Sequence, residues 1–401
     1  MIMSGSRLNV LFLVESLAGG GAEKILSGLV RGLDRDKFNV TVCAVVDCGQ
    51  YRDEVRKHAR YRFIVGGRGC LYRLKYALVY RFLPAGWIYK WFIAGDYDVE
   101  AAFTEGLPTR LLRYDLRLYD ETVYGRYAAA PAGKRGKAGK TRKIAWVHVD
   151  LEARPWTQGV VFRSLDEEKR AYGRFHVVAH VSRMVKEAFE RRFGTHPGSV
   201  VVHNPVDRDE VLAKSAAVEE VPEKKCFRIV SVGRLEEQKG FDRLIRALAR
   251  LKERGQAAEL VLLGEGSLRS DLERLAAGLG VSESLLMPGF MENPYPWMAG
   301  ADLFVCSSRS EGMSTVVTEA LILGVPVLAV ECSGIGEQLG MGRFGRMVDN
   351  DDEALARALE DFVSGRESYA EWREKAALGA RQVAYAGAVR EVERLLEGAE
   401  R

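Results

Sequence analysis

The alternation of short apolar runs with amphipathic stretches constrains the fold of this chain more than any other feature of its sequence. Apolar runs of strand length recur through the front half, and helical patterns separate most of them. This alternation predicts a mostly parallel, doubly wound α/β sheet. The predicted strands of the front half are residues 8–14, 39–46, 61–65, 99–103, 143–149, 177–181 and 200–203.

A polar segment at residues 221–226 interrupts the pattern, and the alternation then starts again. A chain of 401 residues is longer than one hydrophobic core usually serves, so a second domain of the same class is expected. We place the domains at residues 1–206 and 207–380, with a C-terminal helix over about 381–401 that would pack back on the first. Two such sheets facing each other across a cleft are the natural organisation. The predicted strands of the second domain are residues 227–232, 259–263, 285–287, 303–306 and 326–330.

Composition fits a soluble globular protein with a large core, because 47% of the residues are hydrophobic and 28% are charged. The six cysteines form no CxxC pair, which favours free thiols in a reducing cytoplasm over a zinc cluster. We recognise neither a signal peptide nor an apolar stretch of about 18 residues, so neither a secretory leader nor a membrane-spanning helix is expected. The expected location is the cytoplasm, with peripheral attachment to the inner membrane left open.

Residues 303–330 are the least generic stretch of the chain. A short apolar run leads into a helical pattern over residues 313–323, with Ser314 as its N-cap and Gly324 just past its end. A helix N-terminus that follows a strand offers backbone N–H groups and a positive dipole end to an anion. Glu311 and Glu319 flank this seat, and carboxylates bind the hydroxyls of sugars and riboses. Taken alone, the two glutamates favour an ordinary solvated surface helix, and it is the residues upstream that overturn this interpretation.

A second set of charged residues follows the first strand of the rear domain. Arg234 comes directly after that strand and Lys239 stands just before the next helical pattern. At the carboxyl edge of a parallel sheet both cations point into the crevice where ligands collect. An arginine fork and a lysine point charge together neutralise a diphosphate. We therefore expect both cations to converge with Glu311 and Glu319.

Taken together, these motifs resemble those of one enzyme family. The Gly-Gly-Ala-Glu turn at residues 20–23, Val-Gly-Arg at 232–234 with Lys-Gly at 239–240, Gly-Glu-Gly at 264–266, and Ser-Glu-Gly at 310–312 occur in the family's order. The chain is similar to retaining glycosyltransferases of the GT-B fold, family four, which build bacterial polysaccharides and glycolipids. The resemblance implies two Rossmann-like domains and covers nearly the whole chain.

The resemblance also implies roles for individual residues. Arg234 and Lys239 would hold the nucleotide diphosphate, Glu319 the ribose hydroxyls, and Glu311 the donor sugar. The remaining implied contacts are Gly20 and Gly21 to the diphosphate, Gly312, Met313, Ser314 and Thr315 to the donor sugar and its phosphate, His148 to the sugar, residues 264–266 and 287–291 to the base, and Glu105 to the acceptor. Many relatives carry Phe-Pro or Phe-Gly where this chain has Met313-Ser314.

An aromatic and basic stretch at residues 71–93 leaves two readings open. Its tyrosines and tryptophans interspersed with arginines and lysines suit a segment lying on the surface of an anionic bilayer, and equally an aromatic core helix pair with solvated cations. The basic run at 134–143 is predicted to be a loop that either reaches lipid headgroups or is solvated. Nucleic acid is not an expected partner, because no recognition motif accompanies the charge.

Two Asp-x-Asp sequences resemble divalent-metal motifs. Asp96 and Asp98 precede a strand, where aspartate commonly closes a turn, and Asp207 and Asp209 are discounted in the same way. No metal and no cofactor are therefore expected.

The sequence thus favours a metal-independent glycosyltransferase, by the family's implication UDP-dependent and retaining, that acts on a lipid-linked or membrane-proximal acceptor in polysaccharide, lipopolysaccharide or glycolipid biosynthesis. A small soluble acceptor, a sugar-nucleotide epimerase of similar architecture and a non-catalytic nucleotide-sugar binding protein are the alternatives.

Overall fold

The structure is a computed structural model of the 401-residue chain, and it describes residues 7–18, 20–66, 75, 79, 83–113, 141–217, 221–383 and 385–398. The chain divides into two compact units. Unit 1 comprises Met1–Pro205 together with Ala386–Arg401, and unit 2 comprises Val206–Tyr385.

Unit 1 is built on a seven-stranded sheet in which every neighbouring pair of strands is parallel. Its strands are β1 (Leu8–Val14), β2 (Phe38–Val46), β3 (Arg60–Val65), β4 (Val99–Ala102), β5 (Arg142–Val147), β6 (Val177–His180) and β7 (Ser199–Val201). The spatial order is β3-β2-β1-β4-β5-β6-β7. Because the order of the strands reverses between β1 and β4, the loops that follow these two strands diverge there and leave a crevice at the carboxyl edge.

Helices connect the strands of unit 1. They are α1 (Gly21–Gly32), α2 (Arg52–His58), α3 (Ala85–Ile88), α4 (Leu107–Leu112), α5 (Leu165–Tyr172) and α6 (Arg183–Phe193), and α3 continues as a π-helix over Tyr89–Ile93. The central strands β1, β4, β5 and β6 are mostly buried on both faces, which is why residues 10–14 of β1 form a continuous apolar run, whereas the edge strand β3 keeps exposed residues. Phe103 packs beside Trp146 under the carboxyl edge, with 5.1 Å between the ring centroids.

Unit 2 repeats this plan with a six-stranded parallel sheet in the order β10-β9-β8-β11-β12-β13. Its strands are β8 (Phe227–Val232), β9 (Ala258–Leu263), β10 (Leu285–Gly289), β11 (Leu303–Cys306), β12 (Val327–Val330) and β13 (Arg346–Val348). The order reverses between β8 and β11. The prediction of two doubly wound, Rossmann-like domains is therefore confirmed.

The helices of unit 2 are α7 (Arg208–Ser215), α8 (Phe241–Glu253), α9 (Arg269–Gly278), α10 (Tyr295–Ala299), α11 (Thr315–Ile322), α12 (Ile335–Gln338), α13 (Asp352–Val363) and α14 (Tyr369–Ala380). The C-terminal helix α15 (Tyr385–Glu397) belongs to unit 1 from Ala386 onwards, and its Glu393 carboxylate accepts the Asp34 N–H of that unit at 2.9 Å. Within the described residues, no helix combines the length and the apolar character needed to cross a bilayer.

The predicted elements differ from the observed ones mainly at their ends. β5 stops at Val147, so His148 lies on the loop that follows instead of within the strand. β13 was not predicted, because a three-residue strand containing an arginine carries no strong apolar signal. Asp207 caps α7 by accepting the N–H groups of Asp209 and Glu210 at 3.1 Å each. Of the stretch at 71–93, residues 71–74, 76–78 and 80–82 lie outside the described residues, as do 134–140 of the basic run.

Candidate active site

The charged residues predicted in unit 2 lie on the two loops at its switch point. The loop after β8 carries Arg234 and Lys239, and the loop after β11 carries Glu311. Since β8 and β11 are adjacent parallel strands, both loops leave the same edge of the sheet. Residues that are 72 positions apart in the chain are thereby brought into contact.

Lys239 and Glu311 form the centre of this site. The Nζ of Lys239 donates to Oε1 of Glu311 at 2.7 Å, and the hydroxyl of Ser308 donates to the same oxygen at 2.6 Å. The two charged side chains are only 19% and 9% exposed. Burial lowers the pKa of Lys239, but the nearby Glu311 carboxylate more than offsets this, so the net shift is upward. The lysine is therefore a cation at neutral pH.

Hydrogen bonds between the two loops hold this pair in place. The Ser307 hydroxyl donates to the Lys239 carbonyl at 2.8 Å, and the Gln238 amide donates to the Ser310 carbonyl at 2.8 Å. Gly240 adopts a left-handed conformation with φ of 63°, and a Cβ there would collide with the Ser307 carbonyl. The Lys-Gly sequence at 239–240 is thus explained by the close approach of the two loops.

Arg234 is the exposed cation of the site. Its guanidinium pairs with Glu236 at 3.1 Å, and its side chain is 55% exposed. Surface ion pairs of this kind contribute about 0–1 kcal/mol, so an anionic ligand can take the arginine from Glu236 at little cost.

The N-terminus of α11 is capped by a residue that the sequence did not point to. Ser314 occupies the N-cap position as predicted, but its hydroxyl does not cap the helix. Instead, the amide of Gln338 on α12 accepts the Ser314 N–H at 2.9 Å and donates to the Ser314 carbonyl at 2.7 Å and to Thr318 Oγ1 at 2.9 Å. The backbone N–H of Ser314 is therefore occupied here. The loop before α11 is held closely as well, because a Cβ at Gly334 would collide with the Gly312 carbonyl.

Glu319 lies within α11 and is 1% exposed, so the residue predicted to bind a ribose is buried. Met313 is half-buried beside Ser314 and Thr315, which are buried. The unit 2 residues of the predicted site thus lie on two loops and the first turns of one helix.

The residues predicted in unit 1 lie at the carboxyl edge of its sheet, on the loops that follow β1, β4 and β5. Gly20 is the N-cap of α1 and Gly21 is its first residue. A Cβ at Gly20 would collide with the Glu23 carboxylate, so glycine allows this acidic group to lie against the start of the helix. Asp98 lies at the other end of the sheet, where its carboxylate accepts the Asn9 N–H at 2.8 Å. This aspartate, which was predicted to close a turn, thus has a structural partner.

His148 and Glu105 are in direct contact at the carboxyl edge of unit 1. Oε1 of Glu105 accepts the backbone N–H of His148 and, at 3.0 Å, that of Val149. Burial lowers the pKa of His148 to about 4, and a hydrogen bond with the backbone of Phe103 opposes part of that shift. The imidazole is therefore neutral at pH 7. Its Nε2 is buried and has no hydrogen-bond partner among the described residues.

Sequence reasoning missed Ser308 and Gln338. Ser308 stands three residues before Glu311 in the same loop, and this short separation was a usable signal. Gln338 is 24 residues from Ser314, and no feature of its own neighbourhood marks it.

Comparison with known proteins decides the family. Residues 19–210 match the family model described as Glycosyltransferase Family 4. Residues 214–378 match the family model described as Glycosyl transferases group 1. The GDP-mannose-dependent alpha-(1-6)-phosphatidylinositol monomannoside mannosyltransferase of Mycolicibacterium smegmatis is 31% identical over 312 residues, which is 69% of this chain and 79% of that protein.

The chain belongs to the GT-B glycosyltransferases.

Two further matches extend this assignment. This glycosyltransferase is 38% identical over 167 residues to the N-acetylgalactosamine-N,N'-diacetylbacillosaminyl-diphospho-undecaprenol 4-alpha-N-acetylgalactosaminyltransferase of Campylobacter jejuni. That match covers 40% of this chain and 44% of the relative, less than half of its length. The crystal structure of Anabaena Alr3699/HepE in complex with UDP-glucose superposes with a TM-score of 0.73 at 18% identity, covering 98% of this chain and 100% of that one, and shows the shared fold.

Proposed function

We propose that this glycosyltransferase transfers a sugar from a nucleotide diphosphate sugar, UDP-linked, to a lipid-linked saccharide acceptor, with retention of the anomeric configuration. The observation that carries the proposal is the contact between Lys239 and Glu311 at the switch point of unit 2. A cation and a carboxylate side by side match the two parts of a sugar nucleotide, its diphosphate and its sugar hydroxyls.

The diphosphate is proposed to bind between Arg234, Lys239 and the N-terminus of α11. Lys239 is held as a cation, and Arg234 is engaged only by a surface ion pair. When the anomeric bond breaks, negative charge develops on the leaving diphosphate, and fixed cations beside it stabilise that charge. The positive end of the helix dipole adds to this stabilisation.

Glu311 is proposed to bind hydroxyls of the donor sugar and not to attack it. Its Oε1 already accepts hydrogen bonds from Lys239 and Ser308 at 2.7 and 2.6 Å. A carboxylate oxygen whose lone pairs already accept two hydrogen bonds is a poor nucleophile. The covalent route of retaining glycosidases, which needs a free carboxylate at the anomeric carbon, is therefore not favoured here.

We infer a same-face displacement instead. The bond from the anomeric carbon to the diphosphate oxygen breaks while the bond to the acceptor hydroxyl oxygen forms on the same face of the sugar. The proton of the acceptor hydroxyl passes to the departing phosphate oxygen. His148, neutral at the working pH, is the unit 1 residue proposed to contact the sugar, and Gly20 and Gly21 are proposed to contact the diphosphate.

The names of the relatives support both a nucleotide-sugar donor and a lipid-linked acceptor. The Anabaena protein was solved with UDP-glucose, whereas the name of the mycobacterial relative specifies GDP-mannose, so a UDP donor and a GDP donor must be tested side by side. The Campylobacter and mycobacterial names both specify acceptors attached to lipids. These acceptors favour a lipid-linked saccharide over a small soluble one.

An exposed aromatic surface on unit 1 suits attachment to a membrane. Trp87 and Trp91 are 50% and 75% exposed on α3 and the π-helix that follows it, and Phe92 and the exposed Lys90 adjoin them. Indole rings and lysine side chains prefer the interface of an anionic bilayer. We propose that this aromatic surface binds the inner face of the membrane, where a lipid-linked acceptor would be reached.

A donor panel tests the proposed function. The purified full chain is incubated with UDP-linked and GDP-linked sugars, with and without lipid-linked acceptors, and the release of nucleotide and the transfer of sugar are both measured. We expect acceptor-dependent transfer from a UDP-sugar, with an α-linked product from an α-linked donor. An inverted product would contradict retention, transfer to free sugars alone would assign a soluble acceptor, and nucleotide release with an epimerised sugar but no transfer would identify an epimerase. In the same assay Lys239→Ala should lose transfer, because it removes the cation proposed to bind the diphosphate. Lys252→Ala serves as its matched control, since Lys252 is an exposed lysine of the same unit that donates to the Gly280 carbonyl.

A further inference from the structure

Glu105 lies on the loop after β4, beside the loop that carries His148. β4 and β5 are neighbours in the sheet, with Ala102 opposite Ala145, so the loops that follow them run side by side. Glu105 is 4% exposed, and its Oε1 accepts the backbone N–H groups of both His148 and Val149. One carboxylate oxygen thus fixes the backbone at the point where His148 leaves the strand.

The same loop also holds the side chain of His148. The ring of Phe103 lies 5.0 Å from the imidazole, centroid to centroid, and the Phe103 backbone forms a hydrogen bond with His148. Residues 103–105 therefore contact His148 at both its backbone and its ring. A shift of this loop would move the imidazole as a whole.

The loop that carries Glu105 is itself rigidly placed. Gly106 has a φ of 82°, and a Cβ there would lie 2.7 Å from the ring of Trp156. Only glycine suits that left-handed conformation under a packed indole ring. The Phe103 N–H donates to the Leu13 carbonyl of β1 at 2.8 Å. The sequence Glu-Gly at 105–106 is explained by the need to turn the chain sharply while the carboxylate points at the neighbouring loop.

The chemistry of the contact requires an acceptor oxygen at position 105. Burial raises the pKa of Glu105 to about 7, hydrogen bonds from its own backbone and from those of His148 and Val149 lower it, and the charge of Glu23 raises it. Burying a carboxylate is costly, and a side chain that only filled space here would be apolar. Both amide contacts go to a single oxygen, so the carbonyl of a glutamine can replace it.

We propose that Glu105 is a positioning residue, which acts on sugar transfer by holding the backbone of His148. Its carboxylate contacts the loop that carries His148, and the proposal assigns it no contact with the acceptor. This inference rests on the proposed function, because it assigns His148 a role in the transfer.

A double-mutant cycle tests the proposal. Glu105→Met keeps the length of the side chain but removes the acceptor, Glu105→Gln keeps one acceptor oxygen, and each is combined with His148→Ala. Misplacing a catalytic group by about 1 Å costs on the order of 100-fold, so Glu105→Met should lower kcat by roughly that factor, with UDP affinity within about twofold of wild type. Glu105→Gln should remain within about threefold of wild type, and Glu105→Met should cost less than about threefold when His148 is already alanine.

A matched control separates positioning from general loss of structure. Glu168 is another fully buried carboxylate of unit 1, and it accepts the Thr157 hydroxyl at 2.6 Å without contacting His148. Glu168→Gln should lower Tm by as much as Glu105→Gln or more, yet change kcat by less than about twofold, with no coupling to His148→Ala.

Three results would overturn the proposal. An equal loss from Glu105→Met in both backgrounds would mean that Glu105 acts independently of His148, and a raised KM for the acceptor with unchanged kcat would assign it to acceptor binding. A folded but inactive Glu105→Gln variant would contradict positioning even if Glu105→Met does not fold. If His148→Ala has wild-type activity, or if the wild type transfers no sugar, it is the proposed function that fails.

Discussion

The two units share a doubly wound topology but differ in the electrostatics of the groups at the carboxyl edges of their sheets. In unit 2 the central groups form an ion pair, with Lys239 and Glu311 mostly buried and 2.7 Å apart, and Arg234 on the same loop as Lys239 is exposed. In unit 1 the central groups are His148, whose pKa lies near 4, and Glu105, whose pKa lies near 7, and both are withdrawn from water.

This difference suits different roles for the carboxyl edges of the two sheets in the proposed reaction. Cations suit a diphosphate, whose charge must be met at binding and again as it leaves. A neutral imidazole fixed by its neighbours suits the positioning of an uncharged sugar, since it contributes orientation and hydrogen bonding without attracting anions. The comparison predicts that variants of Lys239 affect nucleotide binding and that variants of His148 and Glu105 affect turnover.

The largest effect is expected at Lys239. Lys239→Ala removes a buried cation from the proposed diphosphate seat and leaves Glu311 without its ionic partner, so kcat/KM should fall by about 1,000-fold. Steady-state kinetics with the donor sugar measures this, with Lys252→Ala as the control. If Lys239→Ala had wild-type kinetics, the proposal that the charge of Lys239 serves the diphosphate would be wrong.

His148→Ala should lower kcat by about 100-fold while leaving the Kd for UDP within about twofold of wild type. The physical reason is that a neutral side chain contributes to the geometry of the sugar and not to charge neutralisation. Rapid-quench measurement of transfer, together with calorimetric titration of UDP, separates the two quantities. A large loss of UDP affinity would show that the imidazole serves the nucleotide.

The outer surfaces of the two units should differ as well. Replacing Trp87 and Trp91 with serine should weaken binding to vesicles of phosphatidylglycerol by about tenfold, because two exposed indole rings leave the interface. Vesicle co-sedimentation measures the change. Leu378→Ser, at an exposed apolar side chain of unit 2, is the control and should bind as wild type. Equal binding by all three proteins would leave the aromatic surface without a membrane role.

A smaller effect is expected from Gln338→Ala. This change removes the amide that accepts the Ser314 N–H, and helix caps typically contribute about 1 kcal/mol, so the KM for the donor should rise about fivefold. Gln338→Glu, which keeps the acceptor but loses the donor, should be intermediate. An unchanged donor KM in both variants would show that the start of α11 does not form part of the donor site.

The smallest effect is expected from removal of divalent metal. Because Arg234 and Lys239 are the cations proposed to meet the charge of the diphosphate, activity in EDTA should stay within about twofold of that without it. Activity assays after chelation and after addition of Mn²⁺ measure this. Abolition by EDTA and recovery with Mn²⁺ would direct attention back to Asp96 and Asp98.

Much of the fold could be predicted because strands buried on both faces leave continuous apolar runs. The bounds of β1, β8 and β11 agree with prediction to the residue. β13 could not be predicted, since it is short and includes Arg346. The π-helix at Tyr89–Ile93 depends on backbone hydrogen bonding for which the sequence has no clear signal.

The site was predictable only where topology alone brings residues together. Lys239 and Glu311 follow adjacent parallel strands, so their approach could be expected before any coordinates. The contacts of Glu105 with the His148 loop and of Gln338 with Ser314 depend on side-chain directions across loops, which spacing does not encode. The acceptor-side role that the resemblance implies for Glu105 stays a prediction, and its contact with the His148 loop had no signal in the sequence.

The claim that Lys239 serves the diphosphate and His148 the sugar is tested most directly by calorimetry. The binding of UDP and of UMP is compared for the wild-type chain, Lys239→Ala and His148→Ala. A diphosphate seat built on a buried lysine should favour UDP over UMP by at least about tenfold, or 1.4 kcal/mol, in the wild type and in His148→Ala. In Lys239→Ala this preference should largely disappear. A preference for UDP that survives in Lys239→Ala, or that is lost in His148→Ala, would contradict the assignment of the diphosphate to unit 2.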